Sequence, residues 1–300
     1  MDVHVEYFYE LIKQEWNYSC YKNSFDDTQL AIKAADSDVA GSIRYISDID
    51  KLADHPEVKS VRIFALDQDT FEYFINKYGR QLRYIHFYSN KSVEDWSLLG
   101  TLPDLECVNW FHNQKIDRLW DMSRNYSLKA LKISDFSKLH SISGIEKAPA
   151  LEWFEFGDAI WRTSEIESLR PLENTGIRRI SFSGKKISDM DISCIPNMKK
   201  LEVFDCPTNL FSTEEIAWIV AKCPKLEGYA LRPYLDYMMY NEKTRKADIP
   251  GVMIIGKRKP TFAIEGNEKR LEKYESSPKF CVNSILSIIC FLLPRTPSGA

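Results

Sequence analysis

The apolar positions of the chain recur in one short pattern, with two residues between the first pair and one residue between the second pair. In the segment LECVNW these apolar positions are Leu105, Val108 and Trp110. Segments with this spacing begin at residues 58, 82, 105, 128, 151, 177, 198 and 226, at successive intervals of 24, 23, 23, 23, 26, 21 and 28 residues. So regular a period is typical of a repeat array, in which each copy contributes one strand.

The segments between these strands predict two helices. DTFEYFINKYG has Asp69 as a candidate N-cap, and STEEIAWIVAKC carries a capping box of Ser212 and Glu215. The remaining connectors are predicted to be loops or short 3₁₀ turns. Five copies place a proline two residues before the first apolar anchor, where its fixed φ suits a turn that enters a strand; these are HPEV, LPDL, APAL, IPNM and CPKL.

With these spacings the chain resembles the leucine-rich repeat, whose consensus L-x-x-L-x-L-x-x-N/C-x-L carries Asn or Cys at its ninth position. That position holds Asn90, Asn113 and Cys206 in three copies. The stretch ISFSGKKISDMDISCIPNMKKLEVF is similar to the short bacterial repeats of the internalin-like kind. The resemblance implies an α/β fold, a solenoid with a parallel concave sheet, an irregular or short-helical convex side and helical caps.

A stack of such repeats needs caps, because one repeat cannot bury its apolar side alone. We therefore expect an N-terminal cap region over residues 1–48, a leucine-rich repeat array of about eight repeats over 49–255, and a C-terminal cap with an apolar tail over 256–300. EYFYELIKQEW and EGNEKRLEKYE are candidate cap helices, and GVMIIG is a candidate further strand.

Side-chain alternation predicts that the anchors point into the core and that positions two, three, five, seven and eight face outward on the concave sheet. The aromatic residues at positions three and seven that we select as candidate binding residues are Phe64, Tyr84, Tyr88, Phe111 and Trp153; Phe204 also occupies position seven, in a later copy. Strands about 4.8 Å apart would bring the rings at position seven into one row. An exposed row of this kind is typical of a protein interaction site, unless cap residues or loop side chains cover it.

Charged residues on the same face form a positive cluster in two adjacent copies. Its members are Arg178, Arg179, Lys199 and Lys200. Acids adjoin this cluster at Glu152, Glu155, Asp158, Glu202 and Asp205. Such a surface could orient a partner of complementary charge, or it could be solvated and neutralised by its own neighbours.

The net charge, the cysteines and the N-terminal segment limit which partners and which cellular compartment are expected. The formal net charge of −3 lacks the positive field that nucleic-acid binding requires. The 7 cysteines include no CxxC pair, which favours a reducing compartment, and the N-terminal MDVHVEYFYELIKQEW does not resemble a signal peptide. A cytoplasmic protein is therefore expected.

Residues for catalysis or metal binding are sparse. His86, His112 and Cys107 could suggest a nucleophilic site, but Cys107 and His112 would stand roughly 16 Å apart along one strand. His86 and His112 could be joined by Asp135 and Asp158 as metal ligands, although no motif sets their spacing. The sequence thus predicts no enzymatic activity, no metal and no cofactor.

The apolar segment FCVNSILSIICFLL, residues 280–293, has three interpretations. It could pack as a cap, anchor the chain in a membrane, or remain without regular structure. As a helix it would rise only about 21 Å against a hydrocarbon core of about 30 Å, so a membrane span is not favoured. The predicted function is non-enzymatic binding of a protein or peptide by the concave face; the alternatives are a membrane-tethered intracellular scaffold and an enzyme with a site on the His86 and His112 strands.

Overall fold

The computed structural model describes residues 29–32 and 46–275, with side chains from 46 to 274. The chain divides into two compact units, Met1–Leu201 and Glu202–Ala300. The proposed cap helix at the N-terminus and the apolar tail 280–293 both lie outside the described residues. In the described part, no helix is long and apolar enough to cross a membrane.

The first unit is a mixed α/β structure built on a parallel sheet of seven strands. Consecutive strands pair in chain order, except that the short β7 (Glu165–Ile166) is skipped between the last two. The seven strands are β1 (Gln29–Ile32), β2 (Ser60–Phe64), β3 (Tyr84–Tyr88), β4 (Cys107–Asn113), β5 (Ala130–Phe136), β6 (Trp153–Gly157) and β8 (Arg179–Ser183). Strand β1 was not predicted; the other six coincide with the first six copies of the apolar pattern.

The apolar anchors hold this unit together. In each of these six copies all three anchors are at most 3% exposed, and Leu105, Val108 and Trp110 are 0% exposed. Phe87 stacks on Trp110 with ring centroids 4.1 Å apart, so neighbouring copies pack directly on each other. The predicted inward direction of the anchors is confirmed for these six copies, whereas in the copy at 226 the anchor Tyr229 is 40% exposed.

The ninth position of two copies carries buried asparagines that hydrogen-bond the backbone of neighbouring turns. Asn90 Oδ1 accepts from Leu66 N at 2.6 Å, and Asn113 Nδ2 donates to Asn90 O at 2.8 Å. Asn113 Oδ1 also accepts from the amides of Lys115 and Ile116. Each amide side chain thereby satisfies backbone groups that are buried where the chain leaves its strand.

The connectors on the other side of the sheet are short. Helices are α1 (Ile46–Ile49) and α2 (Gln68–Tyr78). The 3₁₀ turns are Asp50–Asp54, Gly79–Gln81, Ser97–Thr101, Ile145–Lys147, Arg170–Leu172 and Ile195–Asn197, and two short strands, β7 (Glu165–Ile166) and β9 (Lys186–Ile187), pair in parallel. Helix α2 begins two residues earlier than predicted: its N-cap is Asp67, not Asp69, because Asp67 and Thr70 form the reciprocal capping bonds.

The second unit departs from the repeat. After β10 (Val203–Asp205) and α3 (Thr213–Lys222), the predicted copy at 226 forms only an isolated bridge and a 3₁₀ turn at Tyr229–Leu231. An antiparallel sheet follows, formed by β11 (Tyr234–Asn241), β12 (Lys246–Ile254) and β13 (Thr261–Ala263), before the helix α4 (Glu268–Glu275). The capping box of Ser212 and Glu215 is confirmed, as is the charged helix near the end of the described chain.

Candidate functional site

Three aromatic residues at position seven form a continuous row on the outer face of the first unit's sheet. Phe64, Tyr88 and Phe111 are paired in register on β2, β3 and β4. Their ring centroids are 5.1 Å and 4.9 Å apart, and all three side chains are half-buried. The sheet spacing therefore brings together the three residues that the sequence placed in one row. We call Phe64, Tyr88 and Phe111 the aromatic row.

The aromatic row ends at β5 and β6 because positions there carry small residues. Ser134 and Gly157 follow Phe111 in register. Gly157 has φ of 142°, and a Cβ atom there would lie 2.4 Å from Gly184 N. The backbone of the next copy thus leaves no room for a side chain on β6 at this position.

Trp161 extends the aromatic surface from a loop rather than from a strand. Its ring lies 6.2 Å from that of Phe111, with an interplanar angle of 12°, and 4.5 Å from the ring of His112. Trp161 is 45% exposed and its neighbour Ile160 is 62% exposed. The aromatic row, Ile160 and Trp161 together form a partly exposed apolar surface.

The loop that carries Trp161 is held by two carboxylates. Asp135 Oδ1 accepts from the amides of Ala159 at 3.1 Å and Trp161 at 3.1 Å, and its Oδ2 accepts from Ile160 at 3.0 Å. Asp158 Oδ1 accepts from Ser164 N at 2.9 Å. The side chain of Trp161 is therefore carried on a backbone with fixed hydrogen bonds.

The same left-handed backbone conformation recurs at position eight, one residue after the position of the aromatic row. Ala65, Ser89, His112 and Asp135 all have φ between 51° and 64°. This left-handed conformation is uncommon for residues other than glycine. It occurs in four consecutive copies, and it directs the chain from each strand into its connector.

Burial shifts the pKa of two groups at this end of the face. Desolvation lowers the pKa of His112 below its usual 6.5, against the opposing charge of Asp135. Burial raises the pKa of the Asp135 carboxyl, although the three backbone amides that donate to it oppose the shift. The neutral imidazole of His112 is thus favoured beside Trp161.

Arg62 lies on the aromatic row and was not among the predicted site residues. Its Cζ atom is 4.7 Å from the ring centroid of Tyr88 and 5.1 Å from that of Phe64, within the range of cation–π contact. Its Nε is buried and has no hydrogen-bond partner within the part of the chain that the structure describes. Arg62 occupies an outward position five, so alternation alone could have identified it, whereas no repeat position identifies Ile160 or Trp161.

The predicted residues at position three form a separate cluster. Trp153 packs with Cys107 and Ala130, and Tyr84 lies against them. Trp153 is only 3% exposed, so the expectation of an exposed ring is wrong for it. The indole Nε1 donates to Glu155 Oε1 at 3.0 Å, and Tyr84 donates its hydroxyl to Glu106 at 3.2 Å.

The four predicted basic residues do not share one environment. Arg178 Nη1 lies 3.8 Å from Glu152 Oε2, and the guanidinium of Arg179 lies 5.2 Å from the ring of Trp153. Lys199 and Lys200 are exposed in the turn that follows Ile195–Asn197, where Lys199 donates to Pro196 O. The arginines are thus engaged with the sheet face, while the lysines lie in a turn.

The residues considered for catalysis or metal binding are dispersed. Cys107 is in the cluster of Trp153 at the start of β4, whereas His112 contacts Trp161 near the end of that strand. His86 is 8% exposed and meets Tyr88 edge to face at 5.8 Å. Among the described residues, no group of His, Cys, Asp and Glu side chains could hold a metal ion.

The likeness of this chain to known proteins is structural and distant. No family model matches the chain, and no curated protein matches it in sequence. A chain from the solved structure of the Toll–Spatzle complex, described as a molecular hub in Drosophila development and innate immunity, superposes with a TM-score of 0.43 at 17% identity. The match covers 62% of this chain and 25% of that one.

Proposed function

We propose that this protein is a non-enzymatic binding protein that takes up another protein or a peptide on the outer face of its parallel sheet. The observation that carries the proposal is the continuous aromatic surface formed by Phe64, Tyr88, Phe111 and Trp161, which is half-buried yet still open to solvent. Contiguous exposed apolar area on a folded protein is typical of an interaction site.

The aromatic row is suited to binding because its rings are already ordered. Each ring contacts the next, and the loop of Trp161 is fixed by the bonds to Asp135. Little side-chain freedom is then left to lose when a partner binds, and aromatic residues in such positions supply much of the energy of many interfaces. Arg178 and Arg179, together with the exposed Lys199 and Lys200, would mainly affect the orientation and association rate of the partner.

We also propose that the protein is a leucine-rich-repeat solenoid and that it is located in the cytoplasm. A leucine-rich-repeat solenoid accounts for the buried anchors, for the ninth-position asparagines and for the in-register strands. A cytoplasmic location is supported by the buried thiols of Cys194 and Cys206, which form no disulfide among the described residues.

The test is partner capture by a triple variant of the aromatic row. Phe64→Ala, Tyr88→Ala and Phe111→Ala together should abolish capture of partners from a lysate of the protein's own cells, because the main apolar contact surface is removed. A matched variant, Tyr126→Ala with Tyr237→Ala and Tyr240→Ala, removes three exposed rings outside the row and should capture partners normally. Urea denaturation of both variants checks that they fold.

Recovery of the same partners by a folded row variant would contradict the proposal. Loss of the partners by both triple variants would also contradict it, since the effect would then not be specific to the aromatic row.

A further inference from the structure

The guanidinium of Arg62 is a positive charge that the described chain does not neutralise. It rests on the rings of Phe64 and Tyr88. Among the described residues, no carboxylate forms an ion pair with it. Burying part of a charge without a counter-ion is costly, which makes the site favourable for a carboxylate that arrives with a partner.

Within the described residues, the one acidic side chain in the row beside Arg62 is engaged by another base. Position five carries, in register, Arg62, His86, Asn109, Lys132 and Glu155. Lys132 Nζ lies 3.4 Å from Glu155 Oε2, so the one acid of this row is already engaged by the nearer base. At the far end, Asp135 is occupied by backbone amides.

Stacked arginine is well suited to recognise a carboxylate. Its Cζ lies 4.7 Å and 5.1 Å from the centroids of two aromatic rings, and the fork of N–H groups of a planar guanidinium matches the two oxygens of an Asp or Glu side chain. The rings of His86 and Tyr88, on the neighbouring strand, are 5.8 Å apart.

We propose that the aromatic row binds an extended peptide in which an Asp or Glu side chain pairs with Arg62 and apolar side chains at alternate positions lie on the rings. This inference rests on the proposed function and adds the chemistry of the partner. The ring centroids of Phe64, Tyr88 and Phe111 are 5.1 Å and 4.9 Å apart. In an extended peptide, side chains on one side recur about every 6.6 Å, so the second and fourth residues from the acid would reach Phe111 and Trp161.

The experiment uses two capped synthetic peptides and the full chain. One peptide carries a central Glu with Leu at every second position on both sides and Ser between, so that it can align in either direction; the other has Gln in place of Glu. Isothermal titration calorimetry should give a dissociation constant about tenfold lower for the Glu peptide, since a hydrogen bond to a charged group replaces a neutral one. The preference should decrease at high salt.

The role of Arg62 is tested by variants. In Arg62→Leu the two peptides should bind equally, while Arg62→Lys should keep part of the preference, because it retains the charge without the planar fork. Lys115→Gln removes a positive charge from a connector, where Lys115 pairs with Glu94 at 3.0 Å, and should leave the preference unchanged.

Three results with the Glu and Gln peptides would overturn the inference. They are equal affinity of the wild-type protein for both peptides, no detectable binding of either, and an unchanged preference in Arg62→Leu. A third peptide, with a free C-terminal carboxylate and no Glu, should bind like the Gln peptide; tighter binding would assign the site to chain termini instead. Partner capture by the alanine variants of the row is measured separately, so the proposed function can stand when this inference fails.

Discussion

Two rows of side chains on the same face of the sheet differ in their exposure to solvent. At position three the residues in register are Tyr84, Cys107, Ala130 and Trp153, and the row is closed into a buried cluster. At position seven the aromatic row of Phe64, Tyr88 and Phe111 stays half-open to solvent. Both rows satisfy the same alternation rule, so the rule gives the side of the sheet but not the exposure.

The difference follows from the sizes of the neighbours. Cys107 and Ala130 are small, and Trp153 packs against them. In the aromatic row every ring has a ring beside it, so each shields only the flank of the next and its outer side remains available. An aromatic residue beside small neighbours is thus buried and contributes to stability, whereas the consecutive aromatic residues of the row remain partly exposed.

Of the variants that distinguish the two rows, Trp153→Ala is expected to cause the largest loss of stability. Truncating this buried indole should lower the free energy of unfolding by about 3–5 kcal/mol. Phe111→Ala, in contrast, should cost about 1 kcal/mol, because only part of its ring leaves water on folding. Urea denaturation of both variants measures the contrast, and similar losses from the two would remove the distinction between the rows.

An intermediate effect is expected at the loop that adds Trp161 to the open row. Asp135→Ala removes the acceptor of three backbone amides and should destabilise the fold by about 1–3 kcal/mol. Hydrogen exchange should accelerate most at Ala159, Ile160 and Trp161, whose amides donate to that carboxylate.

Asp135→Asn is the matched control for that variant. It keeps one acceptor oxygen and tolerates the φ of 58° at this position, so its effect should be smaller than that of alanine. Exchange that increases equally throughout the unit, rather than in this loop, would show that Asp135 has no specific role there.

The smallest effect is a pH dependence at the open end of the row. Because the pKa of His112 is lowered from 6.5 by burial, its contribution to stability is present above pH 6.5 and is lost as the pH falls through the folded-state pKa. His112→Asn suits the left-handed backbone at this position and should lose less stability than the wild type between pH 7.5 and pH 5.5. His55→Gln, at an exposed histidine, is the control; an equal change in all three proteins would exclude His112 as the source.

Much of the first unit could be predicted from spacing because its forces are local and repeated. Six copies of the apolar pattern formed strands with buried anchors, and the ninth-position Asn90 and Asn113 hydrogen-bond as their positions suggest. The copy at 226 failed because one matching hexapeptide does not determine a strand: its residues form a 3₁₀ turn beside an antiparallel sheet. The cap of α2 was misassigned because Asp67 and Asp69 are equally good candidates in the sequence.

The sequence by itself determined which side chains face the core and which three rings align on neighbouring strands, since both follow from the two-residue alternation and the repeat period. Only the tertiary structure decided which outward residues stay exposed. That outcome depends on neighbours brought together from other copies and from a loop: the small residues beside Trp153, the rings beneath Arg62, and the carboxylate of Asp135 that holds Trp161 next to Phe111.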